Sequence, residues 1–230
     1  MRLALTALLL CSSVWAQTKA APKAATPAKA TGKSAAKGPQ GPNLLKPDTL
    51  NAKAPAIFIV RLETTKGNID IRVVKAWAPI GVERYYNLVR AGFYDNTYFF
   101  RALDFMTQVG ISSKPEISKV WAEKTMFDDR VIQTNKRGTV TFAAAGSPNS
   151  RSTQFFINKK NENSYLDSLK FAPFGEVVEG MEIVDMIYTG YGDMPPIQDA
   201  LINRGDAFIK EQYPRMDRII KATILTVVEP

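Results

Sequence analysis

An arginine and a glutamine sit inside a largely apolar, strand-forming run, Tyr98-Phe99-Phe100-Arg101-Ala102-Leu103-Asp104-Phe105-Met106-Thr107-Gln108-Val109-Gly110. A cation held against apolar surface is costly unless it has a partner or a task. A second run, Arg137 to Gly146, leads through the loop Ser147-Pro148-Asn149-Ser150-Arg151-Ser152 into Thr153-Gln154-Phe155-Phe156-Ile157. The chemistry that is missing narrows the field. The chain has no histidine, and its one cysteine is Cys11. Ser-His-Asp and Cys-His machinery and His-ligated zinc or haem are therefore excluded. Intrachain disulfides and thiolate metal clusters are excluded too. Read alone, Arg101 is by default a structural ion-pair arginine, Phe105, Phe156 and Phe171 read equally as core, and Gln108 as a strand residue satisfied by backbone.

The elements that must position these residues are mostly short strands. Ile57 to Thr65, a turn at Lys66-Gly67-Asn68, and Ile69 to Val74 read as a hairpin. Ala78-Pro79 starts a helix carrying Val82, Tyr85, Tyr86 and Val89 at helical spacing, and Gly92 ends it. Strand-like runs follow at Thr97–Leu103, Phe105–Val109, Gly138–Ala143, Thr153–Asn158 and Phe174–Val178. Glu182–Ile187 reads as a second helix and Gly205–Tyr213 as a short third one, and Asp217–Val228 as a long closing strand. Many short strands without a βαβ rhythm predict a mainly β fold, a closed antiparallel barrel with helical caps. The Gly- and Pro-containing stretch from Tyr188 to Tyr213 reads as an extra loop and short helix before the last strand, with packing as its expected role.

Taken in order, these motifs resemble the cyclophilin-type peptidyl-prolyl cis-trans isomerases. The family's Phe-His-Arg and Phe-Met-x-Gln-Gly-Gly are similar to Phe99-Phe100-Arg101 and Phe105-Met106-Thr107-Gln108-Val109-Gly110. Its Arg-Gly-Thr-x-x-x-Ala-x-Ala-Gly and Ser-Gln-Phe-Phe-Ile are similar to Arg137–Gly146 and Thr153–Ile157. Its Trp-Leu-Asp-Gly-Lys-His-x-x-Phe-Gly appears, altered, from Tyr165 to Gly175. Phe100 and Phe171 stand where the family often has His, Tyr165 where it has Trp, Val109 for a Gly and Ala144 for an Asn. The spacing between Arg101 and Phe105 is one residue shorter, and that between Gly146 and Gln154 one longer. The resemblance, over about residues 56 to 190, implies a closed, solid eight-stranded antiparallel barrel capped by two helices, with an outer groove for a proline-containing peptide. It implies Arg101 and Gln108 as catalytic residues, Arg101 as the cation near the prolyl nitrogen and Gln108 as anchor of the substrate carbonyl. It implies substrate contacts from Phe105, Met106, Ala143, Ala144, Gln154, Phe156, Tyr165, Leu166 and Phe171. No cofactor and no metal are implied. A binding module of the same fold, holding proline segments without isomerising them, is the alternative.

The N-terminal part carries a different signal. Arg2 followed by the apolar run Leu3–Leu10, then Val14-Trp15-Ala16, reads as a cleaved secretory signal over residues 1–16. Residues 17–50 read as a disordered Ala/Lys/Pro-rich tether, and 51–230 as the isomerase-like domain. Of 30 basic residues, seven precede residue 47, where no acidic residue occurs; the remaining 23 face 22 acidic ones. The net charge of +8 thus belongs almost entirely to the signal and tether, and a nucleic-acid role for the near-neutral domain loses its support. The expected protein is exported, periplasmic or secreted, without a membrane span, monomeric, and acts on proline-containing client polypeptides.

Overall fold

The computed structural model describes residues 42–193 and 195–228. The stretch read as a signal, residues 1–16, and most of that read as a tether, residues 17–50, lie outside the described residues.

Eight antiparallel strands make one curved sheet. They are β1 (Ile57–Thr64), β2 (Gly67–Val74), β3 (Arg101–Ala102), β4 (Met106–Val109), β5 (Thr139–Phe142), β6 (Phe155–Asn158), β7 (Pro173–Glu179) and β8 (Ile219–Val228). Their order across the sheet is β3-β4-β6-β5-β7-β2-β1-β8. β1 and β2 are the expected hairpin, in register from Ile57↔Val74 to Thr64↔Gly67. Phe58, Val60 and Leu62 alternate inward, and Ile69, Ile71 and Val73 answer from β2, all fully buried.

Five helices accompany the sheet among the described residues: α1 (Pro79–Arg90), α2 (Pro115–Ala122), α3 (Tyr165–Ser168), α4 (Met181–Met186) and α5 (Pro195–Gln212). Three of them, α1, α4 and the later part of α5, lie where the sequence reading expected helices, and α2 and α3 are additional. α1 has Ala78 at its N-cap and no side-chain cap of its own. The Asp129 carboxylate supplies it from a distant loop, accepting from the Ile80 and Gly81 amides at 3.0 and 2.7 Å. Buried α1 residues then join a nearly continuous aromatic interior. Tyr85 lies 5.4 Å from Phe155 and 4.9 Å from Phe174, ring centre to ring centre. Tyr94 meets Phe155 edge-on at 5.2 Å. With its interior filled, the sheet leaves a binding site to its outer face.

The barrel is not closed by a ladder, which corrects the predicted closed architecture. β3 and β8 are the two ends of the sheet order and share no register. A single bridge, Tyr98↔Arg218, spans the gap, flanked by the Phe99 amide on Asp217 O at 2.9 Å and the Ile219 amide on Thr97 O at 2.8 Å. The cause lies in the run predicted as one strand over Thr97–Leu103. Phe99 and Ala102 both belong to the main core although three residues apart. Strict alternation fails between them, so Phe100 and Arg101 both leave the core and only Arg101–Ala102 pairs as strand.

Two further differences concern the ends of the domain. Packed chain begins before residue 51: Pro47–Thr49 forms a 3-10 turn, Leu44 and Leu50 pack on the core, and Trp121 Nε1 donates to Leu44 O at 2.8 Å. The segment before the last strand holds a longer helix than expected. α5 spans 18 residues and is broken at Gly205, where φ is +69° and ψ −155°. A Cβ there would lie 2.6 Å from Ser113 O and 2.8 Å from Pro115 Cδ, so glycine is what lets α5 meet the start of α2.

Candidate active site

Strand register sets the first row of the site. Arg101 on β3 is paired with Gln108 on β4, and Gln108 with Phe156 on β6. By the two-residue period of strands, Met106 and Gln108 share the outer face of β4 while Val109 joins the core on the other. Phe155 and Ile157 point inward on β6, which turns Phe156 outward beside them. The shortened spacing between Arg101 and Phe105 is absorbed in the Leu103–Phe105 connection. The Leu103 amide donates to Met106 O at 2.8 Å, closing a tight turn that returns Gln108 opposite Arg101.

All eleven residues named from the sequence line one outer groove of about 530 Å³. Arg101 and Gln108 form its polar floor with Gln154. The Arg101 guanidinium reaches Gln108 Oε1 at 3.4 Å, and Gln108 Nε2 donates to Gln154 Oε1 at 2.8 Å. Phe105, Met106 and Phe156 form an apolar wall, and Leu166 on α3 and Phe171 between α3 and β7 complete the lining. Phe171 meets Phe156 edge-on at 5.8 Å, and the Arg151 guanidinium lies over its other side at 5.1 Å. Ala143 and Ala144 continue the groove beyond β5, where small side chains leave backbone accessible. Tyr165, 53% exposed, lies at the rim.

A buried polar network fixes the two apolar walls relative to each other. Asn135 is fully buried and donates through Nδ2 to Phe171 O at 2.7 Å and to Asp167 Oδ1 at 2.8 Å. Its Oδ1 accepts from Thr141 Oγ1 at 2.9 Å and Asn158 Nδ2 at 3.1 Å. Asn163 Nδ2 continues the chain to Asn158 Oδ1 at 2.7 Å and Phe105 O at 2.9 Å. Phe105 on one wall and Phe171 on the other are thereby tied through three asparagines. Hydrogen-bonded networks of this kind hold one geometry when every member is satisfied.

Several lining residues had no place in the sequence reading. Ala145, Ser150, Ser152 and Leu169 extend loops already singled out. Asp193 and Gln198 come from the segment before the last strand, which was expected only to pack. The Asp193 carboxylate accepts from Arg101 at 2.8 Å across 92 residues of chain. No local pattern marks it, since the contact depends on how α5 is laid over the barrel. The Arg101 Nε–H is buried without a partner among the described residues. No group of three metal-ligating side chains occurs among the described residues, and none of their helices is long and apolar enough to cross a membrane.

Comparison with known proteins gives a consistent result. Residues 59–206 match the family described as cyclophilin type peptidyl-prolyl cis-trans isomerase/CLD. A peptidyl-prolyl cis-trans isomerase of Acinetobacter baylyi is 33% identical over 143 residues, covering 60% of this chain and 76% of that one. Peptidyl-prolyl cis-trans isomerase B of Escherichia coli is 34% identical over 137 residues, covering 56% and 83%. Among solved structures, a cyclophilin type isomerase of Cryptosporidium parvum superposes with a TM-score of 0.54 at 19% identity, covering 74% of this chain and 98% of the other. A cyclophilin of Hirschia baltica gives 0.55 at 19% identity, covering 75% of each.

Proposed function

We propose, since this chain belongs to the cyclophilin-type peptidyl-prolyl cis-trans isomerase family and is an enzyme of that class, that it turns X–Pro bonds in its outer groove by arginine-assisted twisting. Twisting the amide breaks its resonance, against a barrier of about 18–20 kcal/mol. Unaided, the exchange takes on the order of tens to hundreds of seconds. As the bond twists, the prolyl nitrogen regains a localised lone pair. A guanidinium beside that nitrogen interacts with it more strongly in the twisted state than in the planar one, and only such differential stabilisation speeds the step. Arg101 is the cation among the described lining residues of the groove. Gln108 and Gln154 supply amides for the substrate carbonyl, and the Phe105–Phe156–Phe171 walls hold the pyrrolidine ring. No proton shuttle and no covalent step are needed, which suits a chain without histidine.

The observation that carries this reading is the row Arg101–Gln108–Phe156, aligned by register along one face of the open groove. A protease-free prolyl-peptide isomerisation assay tests it. Arg101→Ala should lower kcat/KM about a hundredfold, the scale of removing one preorganised charge-stabilising group. A variant as fast as the wild type, with an unchanged fold by circular dichroism, would sink the arginine mechanism. The clients we propose are exported polypeptides, on the strength of the secretory pattern in residues 1–16. Cell fractionation tests that part separately, and accumulation of the full-length chain in the cytoplasm would overturn it.

A further inference from the structure

The segment that precedes the last strand changes the charge of the groove. From the barrel itself the groove receives one cation, Arg101, together with amides, hydroxyls and apolar groups. Asp193 adds the single carboxylate among the described lining residues. Its Oδ2 takes the Arg101 hydrogen bond, while its Oδ1 has no hydrogen-bond partner among the described residues. The side chain is 47% exposed, so a bound peptide can reach the free oxygen.

The position of Asp193 is built rather than incidental. On one side of it, Tyr191 packs edge-on against Tyr188 and Tyr213 at 5.1 and 5.2 Å. On the other, Ile197 and Leu201 of α5 are fully buried in a second apolar cluster with Tyr98 and Phe100. Tyr98 Oη donates to Asp206 at 2.6 Å, and the Asp206 amide to Ser113 O at 3.1 Å, which fasten the far half of α5. The carboxylate is thus carried between two anchored points.

We propose that Asp193 is a specificity-determining residue, selecting proline segments that carry Lys or Arg beside the proline at the Arg101 end of the groove and disfavouring Asp or Glu there. The inference rests on the isomerase reading of the groove. An isolated Arg101 would draw an acidic flanking side chain toward itself. With Asp193 bonded to it, that attraction is cancelled at short range and the exposed edge of the pair is negative. A lysine or arginine side chain is long enough to reach from the residue beside the proline to that edge. The pair lies partly in water, so the discrimination is modest, on the order of threefold to fivefold in kcat/KM.

The test uses matched peptide series in which the residue on either side of the proline is Lys, norleucine or Glu, with wild type and Asp193→Asn at low and high salt. On one flank, wild type should turn over the Lys peptide about threefold to fivefold better than the Glu peptide. Asp193→Asn, isosteric at an exposed position, should erase or invert that ratio, and salt should compress it. A Lys-to-Glu ratio near one on both flanks in wild type, or one that survives Asp193→Asn, overturns the proposal. The norleucine peptides separate the two readings. Turnover of norleucine peptides without charge preference refutes only the role of Asp193, whereas no turnover of any peptide refutes the isomerase reading beneath it.

Discussion

Replacing Asn135 by Ala removes a side chain from the centre of the polar network and leaves the groove residues themselves untouched. Four side-chain hydrogen bonds disappear. Their partners do not suffer equally. Asn158 keeps its bond to Thr139 Oγ1 at 2.8 Å, and Asp167 keeps the Asn135 main-chain amide at 2.9 Å. The fully buried Thr141 hydroxyl and the Phe171 carbonyl lose the partners that the structure gives them. The buried Thr141 hydroxyl left alone costs about 1–3 kcal/mol and the half-buried Phe171 carbonyl about 1 kcal/mol, so the pair together costs about 3 kcal/mol. In a domain of this size that lowers the melting point by about 6–12 °C. Phe171 also loses its tether to the barrel, so KM for a proline peptide should rise more than kcat falls, measured well below the new melting point. Asn135→Asp keeps the acceptor role but turns a carboxylate toward Asp167. It should be at least as destabilising as Asn135→Ala, a result that loss of side-chain volume alone does not produce. A melting point within about 2 °C of wild type for Asn135→Ala would refute the network's role, because even one orphaned group costs about 1 kcal/mol or more.

Two further perturbations address the core and the α5 arm. Tyr85 is fully buried, and its hydroxyl has no partner among the described residues; Tyr85→Phe should leave the melting point unchanged or raise it, and a drop beyond about 3 °C would reveal a partner worth about 1 kcal/mol. Asp206 is raised by burial, but hydrogen bonds from Lys210 and Tyr98 outweigh that and hold its pKa below the usual aspartate value. A carboxylate with a depressed folded pKa stabilises the fold above its unfolded value of about 3.9 and loses that contribution as pH falls through the folded value. The stability gap between wild type and Asp206→Asn should therefore be present at neutral pH and shrink as pH falls below the unfolded aspartate value of about 3.9. An equal gap at neutral pH and below that value would argue against the ion-paired latch.

How much of this was legible in the sequence depended on whether the signal was local. The β1–β2 hairpin alternates cleanly, and the sheet repeats that alternation residue for residue. α1 was visible from its proline start, its 3.6-residue spacing and its terminal glycine. α2 had the same signals in brief, with Pro115 in the first turn and Ile117, Val120 and Trp121 at helical spacing, and eight residues were too few to stand out between strands. The eleven groove residues were legible through the resemblance of their motifs, in order, to those of the family; strand alternation alone puts only Met106 and Gln108 of them on one face of a single strand. Closure of the barrel was not legible, since it turns on whether Tyr98–Arg101 holds a straight register with β8. That is decided by the competing burial of Phe99 and Ala102, not by the strand propensity of the run. Asp193 was invisible for a related reason: an ion pair across 92 residues leaves no trace in spacing.

Phe100 joins the absent histidine to the added helix. It occupies a position where the family often carries His, and it is 2% exposed, packed with Ile197 and Leu201 beneath α5. A polar imidazole sealed there would need hydrogen-bond partners that an apolar cluster does not offer, and burying it unpaired is costly. An apolar aromatic has no such need and adds area to the cluster that holds α5 down. Covering this face with α5 and placing Phe at residue 100 are therefore mutually consistent features of one design. The same covering helix, entered through Gly192-Asp193, delivers a carboxylate to the arginine next in sequence to Phe100. The segment that made this chain look atypical in sequence is thus the one that reshapes the environment of its central cation.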